Sequence, residues 1–418
     1  MKRVKRIVYV CMTIFTLSVS AQAGGDGSAY SIFGLGDLRY MTNARGMAMG
    51  YTGIGLSGSS FINSLSPATW SRINNTRLDA GLLYEGFNSS NGTRSLYRAN
   101  GDFNGALLAI PASPSKGIVV VGGFVPYSNI SYATFTTGTQ AGVNYSLNHV
   151  GTGGLSRGLI GLSYAPLPEL AVGASMDYIF GSIDHTRLLT ATTTSFVPLS
   201  GGTTIESMTL SGITATLGGI FTGFGEVAEP LRPLALGIVV TSRGTLNSTR
   251  QYFYQYVGER DSSAESEGIV TLPLSFGAGL SYQVGERYLV SADYFTQAWR
   301  NSEFFGTRPT ELRNSYRIGI GGERMGTREP GAAWFDRLSY RAGFTYHATY
   351  LRINNEPINE WAVTGGIGIP FGYDGRINLA MEYGQRGLIG NNLVKDNIIR
   401  FTVGLSLSEQ WFVRFEEE

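Results

Sequence analysis

Past residue 23 the chain contains no cysteine; its single one, Cys11, lies within an N-terminal apolar run. That absence excludes a disulfide framework and thiolate chemistry from the rest of the chain. Charge is also scarce. Charged residues make up 15% of the sequence, against about 25% in ordinary soluble domains. Only four basic residues are lysine, and the arginines are scattered. A nucleic-acid footprint needs basic residues clustered on one face or stripe, so no nucleic-acid partner is expected. Long apolar runs are missing too. Nothing past residue 23 approaches the 18 or so consecutive apolar residues of a spanning helix. The three histidines, His149, His185 and His347, are far apart, and no pair has metal-ligand spacing. Neither a metal nor a cofactor is implied.

Residues 1–23 read as a signal peptide. Lys2, Arg3, Lys5 and Arg6 precede a short apolar stretch from Ile7 to Val19, and Ala21-Gln22-Ala23 supplies the small-x-small cleavage pattern. Cys11 is not at that site, so lipid attachment is not expected. An apolar run of about 13 residues is too short to remain as a membrane-crossing anchor. Removing the four basic residues takes the formal charge from +1 to −3.

What the chain has is glycine, 57 residues of it, together with 12% aromatics and a mean hydropathy of 0.00. Such a balance suits strands that conceal their apolarity by alternating it. Leu338, Tyr340, Ala342, Phe344 and Tyr346 alternate with Ser339, Arg341, Gly343, Thr345 and His347. Ile399, Phe401, Val403, Leu405 and Leu407 do so with Arg400, Thr402, Gly404, Ser406 and Ser408, and Leu272, Leu274, Phe276, Ala278, Leu280 and Tyr282 repeat the pattern. Successive strand residues face opposite sides, so each strand needs one apolar and one polar environment. A soluble sandwich would also alternate. Number, length, and Tyr or Trp near strand ends (Tyr84, Tyr164, Tyr178, Tyr282, Trp361) point instead to a wall with interfacial girdles.

Fourteen strand cores can be placed between 77–86 and 398–407. Short connections follow the even strands, and long polar ones, 127–155, 181–204, 243–269 and 296–314, mostly follow the odd ones. Outer-membrane barrels keep short turns in the periplasm and long loops outside, which puts both termini on the periplasmic side. The expected fold is all-β: a 14-stranded antiparallel transmembrane β-barrel over 76–418. Residues 24–75, rich in Gly, Ser and Asn, would form a small N-terminal hatch inside its lumen.

Two kinds of residue invite chemistry. Gly154-Leu155-Ser156-Arg157-Gly158 matches the G-x-S-x-G pattern, which requires a strand before it and a helix after it. Here a glycine-rich stretch precedes and a strand follows, so no enzyme is expected. Asp79, Asp177, Asp293, Arg317, Arg341, Glu382 and Arg400 fall on the polar strand faces and would point into the lumen. They form either a satisfied charge network or, at Arg341 or Arg400, a fork for an anionic head group.

Several segments resemble the FadL/TodX family of outer-membrane transporters of long-chain fatty acids and hydrocarbons. Tyr30-Ser31-Ile32-Phe33-Gly34-Leu35-Gly36-Asp37-Leu38 is similar to the family's mature start. Arg45-Gly46-Met47-Ala48-Met49-Gly50 with Thr52-Gly53-Ile54-Gly55-Leu56 resembles its glycine-rich stretch. Ser66-Pro67-Ala68 stands where the family has Asn-Pro-Ala, and Ser66 departs from that pattern. Lys116 to Ser128, with Phe124-Val125-Pro126-Tyr127-Ser128, resembles the third strand, and Leu272-Pro273 with Gly277 to Tyr282 a later one.

The resemblance implies a bacterial outer-membrane protein that passively takes up hydrophobic small molecules, fatty acids or hydrocarbons. It implies ligand capture in a plugged barrel and sideways exit near strand three, where Gly122 and Gly123 are the candidate gap. A rival within the same likeness is a barrel that binds protein partners as a subunit of the type IX secretion machinery.

Overall fold

The computed structural model describes residues 27–40, 43–193, 198–256, 258–372 and 374–411. The expected leader, its cleavage site and Cys11 lie outside these residues, as do positions 412–418.

Fourteen antiparallel strands close into one barrel. In chain order they are β1 Thr76–Ser90, β2 Ser95–Ser113, β3 Ile118–Gln140, β4 Val143–Leu167, β5 Leu170–Thr193 and β6 Pro198–Phe221. β7 consists of Leu234–Thr241 and Gly244–Tyr256; β8 of Glu259–Ser262, Ser266–Leu272 and Ser275–Val284. β9 Tyr288–Gln297, β10 Ser315–Arg324, β11 Ser339–Ile353, β12 Glu356–Phe371, β13 Gly375–Gly390 and β14 Leu393–Glu409 complete the wall. Closure is a direct ladder from β14 to β1, running from Lys395↔Ser90 to Glu409↔Thr76.

Sidedness is inverted relative to a soluble protein. Leu82 is 54% exposed and Ile160 62%, whereas Arg77 is 0% exposed and Glu382 1%. Apolar side chains thus form an outer belt and charges line the lumen, the arrangement a lipid-embedded barrel requires. Tyr84, Tyr164 and Tyr178 face outward, and Trp361 packs edge-on against Tyr383. The fold is that of a bacterial outer-membrane barrel.

Turn chemistry fixes the hairpins at the outer end. Asn354-Asn355 between β11 and β12, and Asn391-Asn392 between β13 and β14, all have positive φ. Two-residue turns of this hand match the twist of paired strands.

Three expectations need correction. The segments 127–155, 181–204 and 243–269 are not loops; most of each continues the flanking strands, which reach 23 to 25 residues in β3 to β6. A membrane crossing uses only about 9–11 residues. Beyond that height both faces of a strand meet similar surroundings, so the apolar alternation that identifies a strand disappears. Secondly, Leu272 and Leu274 do not share a face. The β8 ladder breaks at Pro273, and Leu272 lies inward while Leu274 points outward. β7 breaks at the same height, between Thr241 and Gly244. Thirdly, the barrel's ends, Thr76 and Glu409, lie at the short-turn end as expected, but Gly27 sits in the outer half of the lumen beside Ser131. The N-terminal segment therefore runs down through the barrel before entering β1.

Candidate functional site

The lumen holds residues 27–75. Its first part docks in the outer half: Ser28 Oγ donates to Asp396, Ser31 Oγ donates to the Ser131 carbonyl at 3.0 Å, and Tyr350 Oη donates to the Gly36 carbonyl at 2.6 Å. Next comes α1, Ala44–Ala48, capped by Asn43, whose Oδ1 accepts from Gly46 N at 2.7 Å. Below it Asp293 accepts from the backbone N–H groups of Gly53 (2.6 Å) and Ile54 (2.8 Å). A 3-10 turn, Pro67–Arg72, ends the segment at the periplasmic side.

Inward-facing glycines make this seating possible. A Cβ at Gly237 would stand 2.0 Å from the Ile54 carbonyl oxygen, and one at Gly343 2.2 Å from Gly50 N. At Gly173 and Gly218 it would meet Pro67 and Ser66. Much of the glycine content thus serves close approach between two backbones.

Charges join segment to wall in two groups. Arg39 pairs with Glu85; Arg400 holds Glu85 (2.7 Å), Glu360 (2.9 Å) and Glu382; Arg386 takes Asp37 at 2.7 and 3.1 Å. Lower down, Glu323 accepts from Arg45 Nε at 3.0 Å and Arg341 Nε at 2.8 Å, and Arg341 also donates to Asn378 at 2.8 Å. The structure thus engages both Arg341 and Arg400 with carboxylates. Asp37, Arg39 and Arg45, missed from sequence, are the segment's halves of these pairs. They are the only charges between residues 27 and 71, and that isolation was the available signal.

A further lumen guanidinium stands outside both groups. Arg317 is buried, and its Nη1 and Nη2 have no hydrogen-bond partner among the described residues. Its cation lies 4.6 Å from the Tyr40 ring centroid, 5.5 Å from Tyr51 and 5.9 Å from Phe295, an attractive but unspecific setting.

Above the charged layer the lumen holds an apolar cluster, with the Arg250–Glu206 pair beside it. Ile130, Leu155, Ile183, Leu246, Val270 and Trp299 belong to one buried cluster in the outer half. A cavity of about 80 Å³ is bordered by Leu38, Arg39, Asn104, Arg317, Glu360 and Arg400. Another of about 70 Å³ is bordered by Leu38, Tyr40, Leu65, Tyr127 and Pro273. Each has room for roughly five waters, well below the ~300 Å³ of an ordinary ligand pocket.

The wall has a seam. β2 and β3 pair only from Ser113↔Ile118 to Ala106↔Phe124. Above Phe124, β3 has no ladder to β2 among the described residues, although its pairing with β4 runs on to Gln140. The cause is local. Pro126 has no N–H to give the ladder, the β3–β4 register shifts between Pro126 and Ser128, and Gly105 turns β2 at φ +103°. The N-terminal segment covers the exposed edge: Asp37↔Asn129 and Leu38↔Ser128 pair as strands, and Arg39 N donates to the Tyr127 carbonyl at 2.9 Å. Arg39 also reaches Asp102 of β2 at 3.8 Å. The segment therefore stands between both cavities and the seam.

The other sequence candidates fall as follows. Gly122 and Gly123 lie within the paired ladder just below the seam, opposite Leu108 and Leu107. A Cβ on Gly122 would meet nothing nearer than 3.7 Å, whereas one on Gly123 would lie 2.2 Å from the Ala106 carbonyl oxygen. Ser66 precedes the 3-10 turn without capping it, and its buried Oγ has no partner among the described residues; Pro67 and Ala68 pack on the wall glycines. Gly154 to Gly158 lies inside β4, with no helix after it. His347 lies 3.2 Å from Tyr40 Oη, and His185 2.7 Å from Tyr132 Oη.

A sequence model of the family described as BamG matches residues 3–416. Among solved structures, the monoaromatic hydrocarbon channel CymD aligns with 91% of this chain and 100% of its own, at 16% identity and a TM-score of 0.57. The toluene transporter TodX of Pseudomonas putida aligns over 89% and 99%, at 18% identity and a TM-score of 0.58. A FadL homologue from Pseudomonas aeruginosa aligns over 88% and 98%, at 13% identity and a TM-score of 0.58. At such identities the likeness establishes the fold. No curated protein matches the sequence.

Proposed function

Because the chain belongs to the BamG family and shares its fold with a hydrocarbon channel and a toluene transporter, we propose that it passes small hydrophobic molecules across the outer membrane without an energy source. A hydrocarbon or fatty acid enters the apolar outer half of the lumen, where burial gains about 25 cal/mol per Å². The charged layer beneath blocks direct descent, since removing one member of a buried ion pair leaves the other uncompensated, at about 3–5 kcal/mol. The molecule leaves sideways instead, between β2 and β3, once residues 37–39 release β3. Arg317, whose Nη1 and Nη2 have no hydrogen-bond partner among the described residues, would meet a carboxylate head group in transit; Arg341 and Arg400 would have to give up their present partners to do so.

The observation that carries this reading is the seam, closed by the two-residue strand Asp37–Leu38 instead of by β2. The test is uptake of labelled toluene and labelled decanoate by cells that make or lack the protein. Faster entry of either when the protein is present supports the reading; equal rates for both dismiss it.

One observation favours the rival role of binding protein partners. Among the described residues the tall sheet above the membrane has two edges without a ladder. That of β8 is broken and carries Glu259, Arg260 and Asp261, while residues 134–140 of β3 are unbroken and uncharged. Natural sheets usually protect such edges with charge or interruption. Purification from outer membranes distinguishes the roles: a stoichiometric protein partner lost on Thr136→Pro favours the rival.

A further inference from the structure

The outer wall carries a groove that transport does not use. It lies at the periplasmic end, where Gly322 of β10 and Ala342 of β11 are register partners between the larger side chains of Tyr288, Val290 and Tyr340. A Cβ on Gly322 would find nothing closer than the Leu289 carbonyl oxygen at 3.7 Å; Gly365, next round the wall, is equally open. The resulting hollow measures about 310 Å³. Arg324 stands at its periplasmic rim, ion-paired with Asp336 and 5.7 Å from the Tyr340 ring centroid. Both charges are about one-third exposed. The turn bearing Asp336 folds back onto the wall, since Tyr340 Oη donates to the Phe335 carbonyl at 3.1 Å. This leaves Trp334 72% and Phe335 60% exposed beside the rim, at the level where aromatics meet lipid head groups.

We propose that this groove holds one zwitterionic glycerophospholipid of the periplasmic leaflet. An acyl chain lies over Gly322 and Ala342, the phosphate meets Arg324 and the ammonium meets Asp336. Within a bilayer, apolar contact alone gives no preference, because the surrounding tails are as apolar as the wall. Retention therefore comes from fit and from the head group. A wall without a Cβ at Gly322 lets a chain approach more closely than the neighbouring belt does. A cation and an anion side by side match a head group of both signs, while a purely anionic one would be opposed by Asp336. Arg324 has five N–H donors in its fork, so its bond to Asp336 leaves others for phosphate.

Native mass spectrometry of the full chain, extracted from membranes containing both zwitterionic and anionic phospholipids, tests this. The wild type is expected to retain one zwitterionic phospholipid per barrel. Gly322→Leu, or Ala342→Leu should the first not fold, is expected to lower that fraction at least fivefold. Asp336→Asn should shift the retained lipid toward anionic phospholipid. A retained set that mirrors the bulk membrane, retention of lipopolysaccharide instead, or equal retention in the leucine variant would overturn the proposal.

Discussion

Gly237→Val measures how firmly the N-terminal segment is seated in the lumen. A Cβ at that position would stand 2.0 Å from the Ile54 carbonyl oxygen, 2.6 Å from its carbon and 2.9 Å from Gly55 Cα. Neither side can yield easily. Gly237 is paired on both flanks, with Ile220 and Gly279, and Asp293 holds the N–H groups of Gly53 and Ile54. Overpacking costs about 1–3 kcal/mol even where neighbours can shift, so this contact belongs at the upper end. At roughly 3 kcal/mol the balance between seated and lifted segment moves about a hundredfold, while the wall ladders remain intact. Limited proteolysis of the purified barrel reads the outcome. Cleavage within residues 27–75 should appear in Gly237→Val at protease levels the wild type resists, with the barrel itself still folded. Gly219→Val is the control, because a Cβ there lies 3.6 Å from its nearest neighbour, Ile238. Equal resistance of Gly237→Val and wild type would refute the seating argument.

Three further outcomes follow from the same geometry. Arg400→Met leaves buried Glu382 without a cation and takes one of two from Glu85 and Glu360, which should destabilise the barrel by about 3–5 kcal/mol, read as a lowered denaturant midpoint; an unchanged midpoint would mean that the network is dispensable. Arg39→Ala removes the contacts from the segment to Glu85 and Asp102 and should raise hydrocarbon entry several-fold, whereas unchanged entry speaks against a latch at this position. Gly123→Val should lower the melting temperature, since its Cβ would meet the Ala106 carbonyl oxygen; Gly122→Val should leave it unchanged, and similar shifts in both would contradict this difference in contact.

The wall was largely legible in the sequence because a lipid-facing strand must alternate, as Ile399 to Ser408 does. The rest was hidden for physical reasons. Residues such as Thr134 to Gln140 rise above the membrane, where both faces meet similar surroundings and periodicity carries no information. The face reversal at Pro273 is written in backbone geometry, which leaves the local pattern of Leu272 and Leu274 looking continuous. The paired charges are long-range: Arg39 meets Glu85, and Asp37 meets Arg386, only after the barrel has closed. The seam offered a readable signal, Pro126 inside an otherwise regular strand, whereas the conspicuous Gly122-Gly123 pair lies in the intact ladder below it.

Release of β3 by residues 37–39 is the step on which lateral passage depends, and a reversible tether tests it most directly. Leu38 and Ser128 are register partners, and the chain past residue 23 has no cysteine of its own, so Leu38→Cys with Ser128→Cys would add a single removable disulfide. The oxidised double variant should block hydrocarbon entry, and a reductant should restore it, with neither single variant affected. Entry at the same rate in oxidised and reduced forms would contradict the account.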